Sequence, residues 1–205
     1  MRTGSSGEGR RPGRPARYQP DELLAVVTNE FITRGYDATS MEDLARATGL
    51  TKSSIYHHVS GKEELLRLAV AKALDALFAV LSEDASGTGR AIQRLEHVVR
   101  RSADVLVEQL PYVTLLLRIR GNTEAERWAL ERRREFDAQL AALVQAAIDE
   151  GDVRADLEPR LVTRLLFGMV NSLVEWYRPG GTTHGLDVAD ALVALAFGGL
   201  RERET

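Results

Sequence analysis

The sequence predicts an all-α protein of about nine helices, and three observations carry that prediction. Apolar residues recur at helical spacing from Leu23 to Phe197. Glycines and capping residues punctuate those stripes. Nowhere do apolar and polar residues alternate as in a half-buried strand, and no internal repeat is present. The 205 residues are 44% hydrophobic and 28% charged, enough for a substantial core in a soluble chain. There is no Cys, which excludes a disulfide framework, a thiolate metal site and a Cys nucleophile.

The first helix is expected over 20–34. Pro20 suits its first turn, Asp21 and Glu22 complement its positive end, and Leu23, Leu24, Val27, Phe31 and Ile32 make one stripe. Gly35 ends it. The next stretch, Thr39 to Leu65, holds three helix starts in under thirty residues. Ser40 with Asp43, and Ser60 with Glu63, have capping-box spacing, and Thr51 is a plausible N-cap between them. Gly49 sits where a left-handed backbone favours Gly. Two short helices, Met41–Thr48 and Lys52–His58, joined by a tight turn at Gly49–Leu50, read as a helix-turn-helix.

A long helix is expected from Gly61 through Leu81, followed by a loop over Glu83–Gly89. Helices then follow over Arg90–Leu110 (stopped near Pro111), Tyr112–Arg120, Glu124–Glu150 (opened by a Thr123–Glu126 capping box), Pro159–Arg178 and Asp187–Arg201. The most apolar stretch, Leu161–Tyr177, carries Arg164, Asn171 and Glu175, too polar for a membrane span. The last helix is apolar on more than one face and needs partners on both sides.

Net charge is −3, but unevenly spread. Arg2, Arg10, Arg11, Arg14 and Arg17 crowd the first twenty residues against Glu8 alone, and residues 44–62 hold Arg46, Lys52 and Lys62 with no acid. A local basic face binds nucleic acid whatever the total charge. Residues 1–18 have almost nothing to bury and read as a disordered basic arm, whose Gly13-Arg14-Pro15 suits a narrow minor groove. The N-terminus has no apolar h-region, so a cytoplasmic location is expected.

The second helix of the pair offers legible chemistry. Thr51, Tyr56, His57 and Lys62 present hydroxyl, imidazole and ammonium groups for phosphate oxygens, and backbone N–H groups at the starts near Thr51 and Gly61 add to them. Lys52, Ser53 and Ser54 stand at the front of this helix, where side chains reach base edges. Any one of these alone is more often a solvated surface residue; the constellation is what points to DNA.

Phe31, Gly35-Tyr36, Thr39-Ser40, Leu44-Ala45, Ala47-Thr48-Gly49-Leu50-Thr51, Ile55-Tyr56-His57-His58 and Lys62-Glu63-Glu64-Leu65 resemble the DNA-binding domain of the TetR family of bacterial transcriptional regulators. Ser54 and Val59 depart from that family's usual Gly and Phe. The resemblance implies contacts to a palindromic double-stranded operator by Arg14, Arg17, Thr39, Ser40, Thr51, Lys52, Ser53, Ser54, Tyr56, His57 and Lys62. It implies a homodimer formed by the last two long helices, and a repressor released from DNA by a small-molecule effector. The expected organisation is an arm over 1–18, a three-helix helix-turn-helix DNA-binding domain over 19–66, and a helical ligand-binding and dimerisation domain over 67–205. One short recognition helix covers only a few base pairs, which supports a dimer independently.

Arg164, Gly168, Asn171 and Glu175 share one polar stripe at helical spacing and are candidate ligand residues, beside Arg118 and Arg120. The region from Gly151 to Gly180 is similar to TetR-family sensors of CoA thioesters from fatty-acid, aromatic or steroid catabolism. Arg100, Arg101, Arg118 and Arg120 could hold CoA phosphates. Alternatives are a repressor of an efflux or resistance gene that senses a drug-like hydrophobic ligand, and a helical binding module without DNA function. No nucleophile-and-base pair, metal-binding spacing or phosphate loop is present, so no catalytic residue, metal or cofactor is expected, and no membrane partner.

Overall fold

The computed structural model describes residues 20–181 and 185–199, and every regular element among them is helical. The helices are α1 (Pro20–Arg34), α2 (Met41–Thr48), α3 (Lys52–Tyr56), α4 (Lys62–Leu81), a single turn α5 (Asp84–Gly87), α6 (Ala91–Glu108), α7 (Leu110–Arg118), α8 (Glu124–Asp149), α9 (Pro159–Asn171), a short α10 (Leu173–Trp176) and α11 (Gly185–Val193). A π-helical turn, Ala194–Gly198, follows α11. Among the described residues, no helix is long and apolar enough to cross a membrane.

The first three helices close over Leu23, Val27, Phe31, Leu44, Ile55 and Val59, all buried. Phe31 meets Tyr36 edge-to-face at 5.2 Å between ring centroids, fixing the connector to α2. The 20 residues of α4 extend about 30 Å at 1.5 Å per residue. Its start, with Leu65 and Leu66 buried, completes the N-terminal cluster. Its remainder runs into the C-terminal body, packing against α6, α7 and α8. Helix α7 touches both α1 and α4, α8 lies between α4, α6 and α9, and α11 lies against α6.

Several boundaries differ from the sequence expectation, each for a local reason. Ser60 does not form a capping box with Glu63. Its N–H and Oγ donate to Glu64 Oε2, at 2.5 and 2.7 Å, and Glu63 turns elsewhere. Pro111 opens a helix instead of stopping one: it lies in the first turn of α7, where a missing N–H costs nothing. The loop at 83–89 contains the turn α5, with Ser86 Oγ donating to Val80 O at 2.6 Å. The helix expected to run to Arg178 breaks at Ser172, whose Oγ bonds back to Met169 O at 2.7 Å. The last helix turns π-helical after Val193 and meets Gly199 at φ 77°. The arm, with Arg14 and Arg17, lies outside the described residues.

Candidate functional site

The N-terminal site starts from caps. Ser40 Oγ accepts from Asp43 N at 3.2 Å, while Asp43 Oδ2 accepts from Ser40 N at 3.0 Å and from Ser40 Oγ at 2.7 Å. These Ser40 bonds, with help from Arg34 and Arg46, pull the Asp43 carboxyl down to about 2. Gly49 closes α2 at φ 69°, a conformation that strains any residue with a Cβ. Thr51 Oγ1 then accepts from Ser54 N at 3.1 Å and lies 2.8 Å from Ser54 Oγ, capping α3. Ile55, fully buried, pins α3 to the core.

With Ile55 inward, Lys52, Ser53, Tyr56 and His57 face out, Tyr56 with 49% of its surface exposed. The Lys52 ammonium pairs with Glu42 of α2, which raises the pKa of the first and lowers that of the second through the same hydrogen bond. Two expected contact residues are turned inward. Thr39 is buried and its hydroxyl donates to Gly35 O at 2.7 Å. Lys62 donates to Tyr36 O at 2.9 Å and lies 4.3 Å over the Tyr36 ring. Both shape the α1–α2 connector. The Tyr36 hydroxyl is held protonated, its pKa pushed up to about 12 by burial and by Glu63, Asp37 and Glu126.

A second site lies in the C-terminal body, between α8 and α9. A cleft of about 590 Å³ is lined by Arg133, Arg134, Arg160 and Arg164, with Asp137, Phe167, Gly168 and Asn171 among its other walls. Four guanidinium groups against the one Asp137 carboxylate give the lining a net positive charge that favours anions. Burial raises the Asp137 carboxyl pKa against the opposing pull of Arg133 and Arg164. Arg133, Asp137, Phe167 and Asn171 also line a smaller interior cavity of about 40 Å³, whose other walls include Leu74, Leu106, Val113 and Leu116. An edge-to-face row runs from Phe167 to Phe136 (5.5 Å) and on to Phe78 of α4 (5.6 Å). Gly168 borders the cleft with no atom within 4 Å of where a Cβ would stand.

Of the ligand residues expected from the sequence, Arg164, Gly168 and Asn171 come together here. Glu175 does not, because the break at Ser172 takes it off the stripe. Arg118 is turned to the N-terminal helices, donating to Ile32 O at 2.9 Å, and Arg120 is exposed away from the cleft. Arg100 pairs with Asp190, and Arg101 with Glu83 and Asp104, so both serve packing. The sequence reading missed Arg133, Arg134 and Arg160. Arg160 lies one turn before Arg164 on α9, and Arg133 and Arg134 are adjacent on α8, so the available signal was a basic stripe on one helix and a basic pair on the other.

A helix-turn-helix mounted on a helical body is the architecture of a DNA-binding transcriptional regulator, and the relatives of the chain agree with that class. Residues 23–69 match the family model described as bacterial regulatory proteins, tetR family, and residues 88–200 match that of the tetracyclin repressor-like C-terminal domain. The chain therefore belongs to the TetR family. It is 61% identical to SCO3833, a TetR-family member from Streptomyces coelicolor A3, whose crystal structure superposes with a TM-score of 0.84 over 89% of this chain and 92% of that one. PfmR from Thermus thermophilus is 30% identical, with a TM-score of 0.77 over 89% of this chain and 100% of its own. The transcriptional repressor KstR2 of Mycobacterium tuberculosis is 28% identical over 187 residues, 87% of this chain and 91% of that protein. Its solved structure gives a TM-score of 0.79 over 89% of this chain and 95% of its own.

Proposed function

We propose that the chain is a homodimeric repressor that binds a palindromic operator and leaves it when a CoA thioester occupies the α8–α9 cleft. The observation that carries the effector class is the pairing of a cleft lined by four arginines with a small, mostly apolar cavity that shares Phe167 with it. A CoA thioester has phosphates at one end and an acyl group at the other, and guanidinium forks match phosphates in pairs. A neutral drug-like ligand would leave four guanidinium groups with Asp137 as the one carboxylate in the cleft lining.

On the DNA side, Lys52, Ser53 and Tyr56, the outward residues of α3, enter the major groove, with His57 beside them for a phosphate. Ser40, Thr51 and Ser54 set the helices at the angle this requires. Leu161, Leu165 and Trp176 are about half exposed or more (48%, 61% and 52%), on the helices that the resemblance assigns to the dimer. A second copy would cover them. Helix α4 joins the two activities, because its Phe78 belongs to the aromatic row that ends at the cleft.

Fluorescence anisotropy tests the reading. The dimer should bind its own upstream DNA at least ~1000-fold more tightly than random DNA at moderate salt. Decanoyl-CoA should release it, and a neutral hydrophobe of similar size should not. Equal affinity for both DNAs would remove the sequence-specific part, and release by the neutral hydrophobe alone would remove the CoA part.

A further inference from the structure

Ser102 on α6 is fully buried, and its Oγ has no hydrogen-bond partner among the described residues. Helical hydroxyls elsewhere in this chain turn back on their own helix. Thr28, Thr33, Thr48, Thr114 and Thr163 each donate to the carbonyl four residues earlier, at 2.6 to 2.9 Å. Ser102 does not, and it lines the interior cavity behind Phe167. Around it stand Leu74, Leu106, Val113 and Leu116, and the polar side chains that share the cavity, Arg133, Asp137 and Asn171, do not bond to it. A hydroxyl left unpaired there loses its hydration with nothing in return, so a guest in the cavity, a water or a ligand oxygen or nitrogen, is what would satisfy it.

We infer that Ser102 determines effector specificity: the buried end of the acyl group carries a hydroxyl or keto oxygen that hydrogen-bonds Ser102 Oγ. This rests on the reading of the α8–α9 cleft as the CoA-thioester site. The arginines and Ser102 line neighbouring spaces, because Arg133, Asp137, Phe167 and Asn171 border both the cleft and the cavity. The anionic end of the ligand stays at the mouth, and the acyl end passes Phe167 to reach α6. A hydrocarbon terminus reaching this small cavity leaves Ser102 unpaired. A site built around a hydrogen bond discriminates against the analogue that lacks it more sharply than an apolar wall discriminates by size.

Isothermal titration of the full-length protein tests this with decanoyl-CoA and its hydroxy and keto derivatives, substituted at successive carbons. At least one oxygenated derivative should bind roughly tenfold more tightly than decanoyl-CoA, the effect of one well-formed buried hydrogen bond. Ser102→Ala should abolish that preference and leave the affinity for decanoyl-CoA unchanged or improved. The variant should also melt no lower than the parent, since it removes a polar atom without breaking a bond; a structural hydroxyl would lower the melting temperature. If decanoyl-CoA binds and no oxygenated derivative is preferred, or if the preference survives Ser102→Ala, the inference is overturned while the cleft reading stands. If neither decanoyl-CoA nor any derivative binds, the cleft reading itself fails and takes the inference with it.

Discussion

Glu63, in the first turn of α4, accepts a hydrogen bond from the backbone N–H of Ala125 at the start of α8, 3.0 Å away. A side chain at the start of α4 thus caps α8, one wall of the α8–α9 cleft. Arg118 makes the reciprocal link, from the end of α7 to Ile32 O in α1. These two contacts tie the N-terminal helices to the body at separate points. Glu63→Ala leaves an α8 N–H without its acceptor and should cost roughly 1 kcal/mol of stability. It should also weaken the response of DNA affinity to ligand. Urea unfolding and anisotropy with and without decanoyl-CoA measure the two effects. A variant that loses stability but keeps the full ligand response would show the contact to be structural only.

The Lys52–Glu42 pair sets a second expectation. Lys52 cannot approach DNA without loosening its partner, and the Glu42 carboxylate repels phosphates nearby. Glu42→Gln should therefore raise affinity for random DNA several-fold, and Lys52→Ala should lower operator affinity. Each lost phosphate contact would reduce the slope of log affinity against log salt by about 1. If Lys52→Ala leaves the slope unchanged and relaxes preference at one base pair instead, Lys52 reads a base.

Acid stability should report the first cap. The Asp43 carboxyl is lowered from 3.8 in the unfolded reference to about 2 in the fold. Its ionised form is thus favoured by folding, and its contribution is fully present above about pH 4. That contribution should fade as pH falls from about 4 to 2, when the folded carboxyl also takes a proton. Asp43→Asn should flatten the dependence of the urea midpoint on pH across that window. An unchanged profile would show that the Ser40 bonds do not hold in solution.

Leu165 is the most exposed large apolar side chain of α9, at 61%. In the proposed dimer it is covered, so Leu165→Glu should place a charge in an apolar interface. Sedimentation should then show a monomer, and operator affinity should fall by two orders of magnitude or more, because a single recognition helix cannot span two half-sites. Far-UV circular dichroism should be unaltered. A variant that remains dimeric would move the interface elsewhere.

Much of this was legible in the residues. The N-terminal helices follow local rules that act over three or four positions, so Ser40, Gly49 and Thr51 announced their caps correctly. Helix order in the body followed from period alone. Contacts set by distant partners were not legible. Glu63 has the right spacing to cap α4, yet it caps α8, 62 positions away, while Glu64 takes its place on Ser60. Lys62 has the chemistry of a phosphate ligand, and its bond to the Tyr36 carbonyl and its place over the Tyr36 ring depend on a partner 26 positions away. The cleft was half visible: the α9 stripe gave Arg164, Gly168 and Asn171, but only the packing of α8 on α9 brings Arg133 and Arg134 opposite them. Ser102 gave no signal, since a Ser on an apolar helix face ordinarily bonds to its own backbone.

On the proposed mechanism, ligand in the cleft moves α4 through Phe167, Phe136 and Phe78, and so changes the spacing of the two recognition helices. The chain has no Cys, so one introduced at Asn29, exposed on α1, gives a dimer with a single pair of spin labels. The separation should be measured by double electron–electron resonance on the Asn29→Cys dimer, without ligand and with saturating decanoyl-CoA. A distance distribution displaced by ligand, and no longer displaced once Phe167→Ala is added, is the predicted result. Identical distributions in a sample whose DNA affinity still falls with ligand would contradict it.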